Sequence, residues 1–548
     1  MADAFDYVVI GAGSTGSVVA GRLAESGKAT VCVLEAGPPD RHPFIHIPAA
    51  VVYTLSNPAI NWMYRTEPSW GTAGRSLIQS RGKTLGGSGS INGHVYTRGH
   101  RSDFDAWAAQ GNPGWGYRDV LPYFKRSERR IGSGDDRYRG RQGPFVVTDI
   151  DEADPLCEAF MDAAEALGIL RNPDYNGAVQ EGISYVQRSI HRGRRVSPAR
   201  SFLHPLRGRD NLDLRTGAQA TGILFEGRRA TGVRYRRSGR DEVVRARREV
   251  ILCGGAIASP QLLQISGIGA PELLNRIGVP VVQPLAAVGE NLRDHFAARM
   301  VARMSGLPTI NDRVRGLGIV KEIARYALTR RGALALTPTL VYCFWKSDPA
   351  LSCGDIQVSF TPASYPAGVW AGLDSFPGAT VGCWQQRPRS SGHVRARSAD
   401  PFEQPVFQPN YLAEEEDRRA IVAAMRLGRR LMQSPPFARY VDAELWPGAG
   451  VQSDEDLLEH ARQTGNTTYH PMGSCRMGPA ERPDTVVNSQ LRVHGTEGLR
   501  VADTSIMPTM PAANTNAPAL MIGEKAADMI LGRPPLPPED PEEALRQA

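Results

Sequence analysis

Three patterns in the first 35 residues set the frame. DYVVI (6–10) is an apolar run of strand length, and TVCVLE (30–35) is another. Between them SVVAGRLAES (17–26) repeats its apolar residues at helical spacing, so the segment predicts strand, helix, strand. Further on, DPLCEAFMDAAEALGI (154–169) and DRRAIVAAMRLGRRLMQ (417–433) predict amphipathic helices. NLDLRTGAQATGILFEGRRATGVRYRR (211–237) predicts two or three strands with a turn at EGRR. REVILCGGAIASPQLLQISGIG (248–269) predicts a strand that enters glycines and then a helix, as if the opening layer resumed. Residues 303–465 are less regular and hold Tyr342, Phe344, Trp345, Phe360, Tyr365, Trp370 and Trp384, which read more readily as core than as a substrate cage. The proline-rich, acidic end, PPLPPEDPEEALRQA, predicts an extended or disordered tail over 534–548. No internal repeat is visible.

At the first strand-to-helix turn, Gly11, Gly13 and Gly16 form Gly-x-Gly-x-x-Gly. Gly11 permits the tight turn, Gly13 lets backbone approach a pyrophosphate at the helix N-terminus, and Gly16 lets helix pack closely on sheet. Glu35 ends the second strand about twenty residues on, where an acid accepts from ribose hydroxyls and repels a phosphorylated ribose. These features together predict a dinucleotide site. A second flexible stretch, RGKTLGGSGSINGHVYTRG (81–99), offers further backbone N–H groups to phosphate, which favours a long ligand and FAD over NAD.

Composition narrows the class. The 548 residues are 41% hydrophobic and 22% charged, ordinary for a globular chain of about two domains. The net charge of +7 is dispersed over arginines, without a dense basic segment interleaved with aromatics, so nucleic acid is not the expected partner. The seven cysteines, Cys32, Cys157, Cys253, Cys343, Cys353, Cys383 and Cys475, include no CxxC pair and no metal-ligand spacing. Reduced thiols, no metal and a cytoplasmic setting are the expectation. The N-terminus runs straight into a strand without signal-peptide features, and no apolar run reaches the roughly 18 residues a spanning helix needs. Peripheral contact with a membrane stays open.

His470 lies in TTYHPMGSCRMG (467–478), some forty residues before PAANTNAPALM. Taken alone it reads as a packed ring in a turn. It gains a chemical role only if the rest of the chain gives it something to face.

With these landmarks in order, the chain resembles the glucose-methanol-choline (GMC) oxidoreductases along nearly its whole length. The segments that carry the likeness are VVIGAGSTG…VLEAG, RGKTLGGSGSINGHVYTRG, GGAIASPQLLQISGIG, and YHPMGSCRMG with GLRVADTSIMPTMPAANTNAPALMIGEKAADMI. It looks most like the bacterial alcohol and choline dehydrogenases and hydroxymethylfurfural-type oxidases, and less like fungal glucose oxidases. The resemblance implies an α/β (α+β overall) fold. Its non-contiguous Rossmann-like FAD domain would comprise 1–150, 196–302 and 466–533, and a second sheet-plus-helices substrate domain would comprise 151–195 and 303–465.

The resemblance also implies the site. His470 would face the flavin and take the hydroxyl proton of an alcohol, with Asn514 across from it. Cofactor contacts would come from Gly11, Gly13, Ser14, Thr15, Gly16, Glu35 and Ala36, and from Leu85, Gly87, Ser90 and Asn92 in the second loop. Gly93, His94 and Val95 would run beside the isoalloxazine. Ala220, Ala502, Asp503, Asn514, Thr515 and Asn516 complete the set, although Ala220 reads equally as an interior strand residue. Tyr469 would border the substrate, and Trp62 would either stack near the cofactor or simply pack. Some members link FAD through a histidine directly before the loop asparagine. Here that position is Ile91 and His94 does not align with it, so non-covalent FAD is expected.

The implied reaction is oxidation of a primary alcohol to an aldehyde, with onward oxidation to the acid left open. Hydride would pass to flavin N5 and electrons then to oxygen or a quinone or dye acceptor. A base near neutral pKa and fixed donors for the developing oxyanion suit that chemistry. The rival on the same scaffold is an FAD-containing hydroxynitrile lyase. The alcohol itself is not specified: no carboxylate can be assigned to a quaternary ammonium, and Glu322 lies where the likeness does not map.

Overall fold

In the computed structural model, which describes residues 3–366 and 372–541, the opening strand Ala4–Ile10 lies parallel between Val31–Glu35 and Arg240–Leu252. Val31–Glu35 is buried along its whole length, as a parallel strand covered on both faces must be. Leu212–Thr216 extends the sheet on one side and Leu499–Val501 joins the end of Arg240–Leu252 on the other. The long strand serves two pairings. Its second half runs parallel to Ala4–Ile10 at Val8↔Val250, while its first half pairs antiparallel with Arg229–Arg237, itself hairpinned to Ala218–Glu226. Helix Ser14–Glu25 returns the chain between the first two strands, and its Thr15 hydroxyl donates to the Ala519 carbonyl of helix Asn516–Leu531. One Rossmann-like layer is thus assembled from three distant parts of the chain, the fold class expected from the sequence.

The second sheet is antiparallel, in the order Val441–Trp446, Phe296–Met304, Gly378–Gln385, Ile356–Thr361, Val341–Trp345 and Gly182–Tyr185. Alternation sorts its faces. Phe296, Ala298, Met300, Cys343, Phe360, Val381 and Cys383 pack against helices Pro155–Ala166 and Glu415–Gln433. Tyr342, Phe344 and Trp384 form a separate cluster on the opposite face with Val95 and Val186. The aromatic residues of this region therefore divide by strand register: Tyr342, Tyr365 and Trp384 line a cavity, whereas Phe360 is core and Phe344 packs behind Tyr342. Trp345 also packs against the core, and Trp370 lies outside the described residues.

One difference from the sequence expectation follows from long-range pairing. The strand Phe296–Met304 lies wholly in the second sheet, so residues 296–302 do not sit in the Rossmann-like layer. The tail is docked as far as its described end: the Leu536 N–H donates to the Tyr123 hydroxyl at 3.1 Å, the Glu539 N–H donates to Arg118 O, and Glu539 pairs with Lys125. A proline-rich segment makes few hydrogen bonds of its own, and helix Tyr117–Ser127 supplies partners along it. All seven cysteines are free and six are buried. Among the described residues no helix is long and apolar enough to cross a membrane, and no three His, Cys, Asp or Glu side chains cluster as metal ligands would.

Candidate active site

A cavity of about 1000 Å³ runs from the C-terminal ends of the parallel strands to the inner face of the second sheet. At one end, Glu35 accepts from Ala12 N (3.0 Å) and Gly37 N (2.9 Å), and burial lifts its carboxyl to about 7. Ala36 and Ala220 line the same end. Gly11 has φ +93°, and a Cβ there would stand 2.5 Å from Cys253 O; one on Gly16 would stand 1.9 Å from Gly11 O. Only glycine fits this turn.

The middle of the cavity is bare backbone. A Cβ on Gly87 would stand 2.6 Å from Gly13 Cα, so the two glycine-rich loops touch without side chains between them. Ser14 Oγ donates to Asn516 Oδ1 at 2.7 Å, joining the N-termini of helices Ser14–Glu25 and Asn516–Leu531 at this point. Two helix N-termini facing one space favour anionic groups. Asp503 accepts from Gly255 N and Ser259 Oγ. Of the residues expected at the cofactor, Gly13, Ser14, Thr15, Glu35, Ala36, Gly87, Asn92, Gly93, His94, Val95, Ala220, Asp503, Asn514, Thr515 and Asn516 line the cavity. Gly11 lines it as well, while Gly16, Leu85, Ser90 and Ala502 lie behind the lining. The His94 ring is buried with Nε2 3.2 Å from Pro48 O, and Ile91 is packed with Ile45 and Ile60. Trp62 lines the wall, stacked on Tyr64 and under Lys83.

The far end is a hydrogen-bonded relay whose proton positions follow from its partners. His295 Nε2 lies 2.7 Å from the Gln386 carbonyl, which only accepts, so that nitrogen carries the hydrogen. His295 Nδ1 is then a lone pair, 3.0 Å from His470 Nδ1. Thr468 Oγ1 donates to His295 O and sits 2.9 Å from the same His470 nitrogen, offering a second lone pair. His470 Nδ1 must carry its ring hydrogen, and Nε2 is left as the acceptor. Asn514 Nδ2 lies 3.1 Å from that Nε2. The Asn514 amide is oriented by Thr97, whose hydroxyl accepts from Asn514 N and donates to Asn514 Oδ1, both at 2.7 Å.

Backbone and charge hold the histidine in place. His470 N donates to Asp294 Oδ1 (2.7 Å), while Asp294 Oδ2 accepts from Thr467, Tyr411 and Gln79. Tyr469 is held at φ +67°, with its carbonyl accepting from Arg81 Nη1 at 2.7 Å. A bulky residue in this region is strained, and such strain concentrates at functional sites. Burial pushes the His470 pKa well below 6.5, and His295 and the Arg81 cation push it the same way. Burial takes His295 to about 4. Both rings are neutral at pH 7.

His295, Asp294, Thr97 and Arg81 were not singled out from sequence. The one local signal was ENLRDH (290–295), an acid–histidine pair ahead of a strand.

Comparison with known proteins gives the family. The GMC oxidoreductase N-terminal family model matches residues 5–297 and the C-terminal model residues 388–523. The chain belongs to the GMC oxidoreductase family. An oxygen-dependent choline dehydrogenase of Rhizobium johnstonii is 42% identical over 97% of this chain and 96% of its own. A pyridoxine 4-oxidase from Mesorbium loti superposes with TM-score 0.87 at 29% identity, covering 96% of this chain and 99% of that one. A formate oxidase variant of Aspergillus oryzae superposes with TM-score 0.89 at 27% identity, over 97% and 98% of the two chains. The protein is an FAD-dependent oxidoreductase acting on CH–OH donors. The residues present fit that cofactor: an acid at one end, side-chain-free backbone between two helix N-termini, and an imidazole–amide pair at the other.

Proposed function

We propose that the protein oxidises a primary alcohol to an aldehyde with His470 as the base. The observation that carries this is the relay from the Gln386 carbonyl through His295, which leaves His470 Nε2 a lone pair in the cavity beside an Asn514 N–H. When bound, FAD supplies the acceptor for the hydride that leaves the carbinol carbon. The chain's own residues handle the proton. The substrate hydroxyl donates to His470 Nε2 and accepts from Asn514 Nδ2, taking the place of the direct contact between them. As the proton moves to Nε2, the ring becomes an imidazolium with Nδ1–H directed at His295 and Thr468. Asn514 stabilises the negative charge growing on oxygen, and Thr97 keeps its amide turned the right way.

Ile91 offers no nucleophile at the position where some relatives attach the cofactor, so the flavin is held without a covalent bond. Electrons leave to oxygen or to a quinone-type acceptor. The Rhizobium relative is named for choline, but this chain's own lining selects its alcohol.

Anaerobic addition of a primary alcohol should bleach the flavin absorbance, and readmitting oxygen or a dye should restore it. An unchanged spectrum across a panel of alcohols would instead favour lyase chemistry on the same scaffold.

A further inference from the structure

The charges around the reactive end discriminate between kinds of alcohol. We propose that the substrates are neutral alcohols with an apolar body, and that quaternary-ammonium alcohols are poor ones. This rests on the reading of the site as an alcohol-oxidising centre.

The cavity's described lining contains two carboxylates, Glu35 and Asp503. Both are committed to backbone N–H groups at the dinucleotide end, Glu35 to Ala12 and Gly37, Asp503 to Gly255 and Ser505. Three further buried acids lie near the reactive end and none reaches its lining; one of them, Asp103, pairs with Arg387 and accepts from Ala512 N. Asp294 has both oxygens filled by His470 N, Thr467, Tyr411 and Gln79. Glu322 accepts from Ala333 N and pairs with Arg313. Residues 367–371, which follow the lining residue Tyr365, read Ala-Gly-Val-Trp-Ala and add no ionisable side chain.

A buried cation also lies close to the reactive end. Arg81 is buried with its guanidinium on the Tyr469 carbonyl and acts on His470 as a cation. The lining includes large apolar groups. Tyr342 and Trp384 meet edge to face at 5.8 Å, and Ile319, Ile323 and Leu336 add aliphatic surface. Ile319 and Ile323 belong to helix Leu317–Thr329, whose Leu317 and Leu328 are 87% and 86% exposed. An apolar body meets matching surface from the outer helix inward.

A trimethylammonium group entering this space loses its water and, among the described residues, finds no carboxylate lining this end, which is costly for any buried ion. The faces of Tyr342 and Trp384 return part of that by cation–π attraction, but Arg81 opposes it. A tert-butyl group of the same shape has no such penalty and gains from burial.

The test is an isosteric pair, choline against 3,3-dimethylbutan-1-ol, with 1-hexanol and benzyl alcohol alongside, scored by anaerobic flavin reduction on the FAD-loaded enzyme. The expected result is a kcat/KM at least about 100-fold higher for the neutral isostere, about 2.8 kcal/mol at 1.4 kcal/mol per tenfold. Choline equal to or better than its isostere would overturn the substrate class while leaving the alcohol-oxidising site intact. Bleaching by none of the four would overturn both.

Discussion

Replacing His470 with alanine should slow alcohol-dependent flavin reduction by about 100-fold to 10,000-fold, the range a positioned base contributes. The reason lies in the relay. His470 is the described ring whose lone pair faces both the cavity and an Asn514 N–H, and the neighbouring histidine cannot substitute because its own lone pair points at His470 rather than at the cavity. Its Nε2 is committed to Gln386 O. The variant leaves the glycine turn, Glu35 and the helix N-termini untouched, so its flavin content should match the parent enzyme. Rapid mixing with substrate under anaerobic conditions separates the two effects. Reduction within threefold of the parent at equal flavin content would remove the assigned role.

The second large effect concerns the cofactor. Gly87→Ala should give protein that purifies with little flavin and is less stable by about 2–5 kcal/mol. Gly87 has φ +52°, which costs an L-residue about 1–2 kcal/mol, and its new Cβ would stand 2.6 Å from Gly13 Cα, adding an overpacking cost of about 1–3 kcal/mol. The loop can relieve that contact only by moving off the glycine turn where the phosphates would lie. Gly27→Ala is the control: φ is +65° but no atom lies within 4 Å of the added Cβ, so it carries the backbone cost alone. With the flavin held non-covalently, as proposed, opening the cradle should lower its retention. Absorbance at the flavin band relative to protein, with thermal unfolding of both variants, checks this. Gly87→Ala behaving like Gly27→Ala would show that the two loops do not form the cradle together.

The dinucleotide turn was legible in the sequence because its motif is local, whereas the pairing of His470 with Asn514 came from the resemblance to a family, since His470 alone reads as a packed ring. The strand, glycines, helix and Glu35 span about thirty residues, and backbone geometry alone fixes their relation. What was not legible came from pairing between distant segments. His295 reaches His470 because Phe296 pairs with Thr467 and Ala297 with Asn466 at the start of an antiparallel strand, a register set by 170 residues of intervening fold. Thr97 meets Asn514 across a still longer separation. The aromatics show the same limit: adjacent strand positions face opposite sides, so Tyr342 borders the cavity and Cys343 the core, and only the sheet register decides which. Composition predicted an extended tail, but it says nothing of the helix Tyr117–Ser127 against which the described part lies.

The pH dependence of flavin reduction in the wild-type enzyme bears most directly on the central assignment. On the proposed mechanism a neutral His470 is the competent form, and burial together with His295 and Arg81 lowers its pKa well below 6.5. The rate should therefore be level from about pH 6.5 upward and fall only as acidification protonates the ring. A rate that climbs through pH 7 to 8, with its midpoint above the ordinary histidine value, would contradict an imidazole already neutral at pH 7 as the proton acceptor.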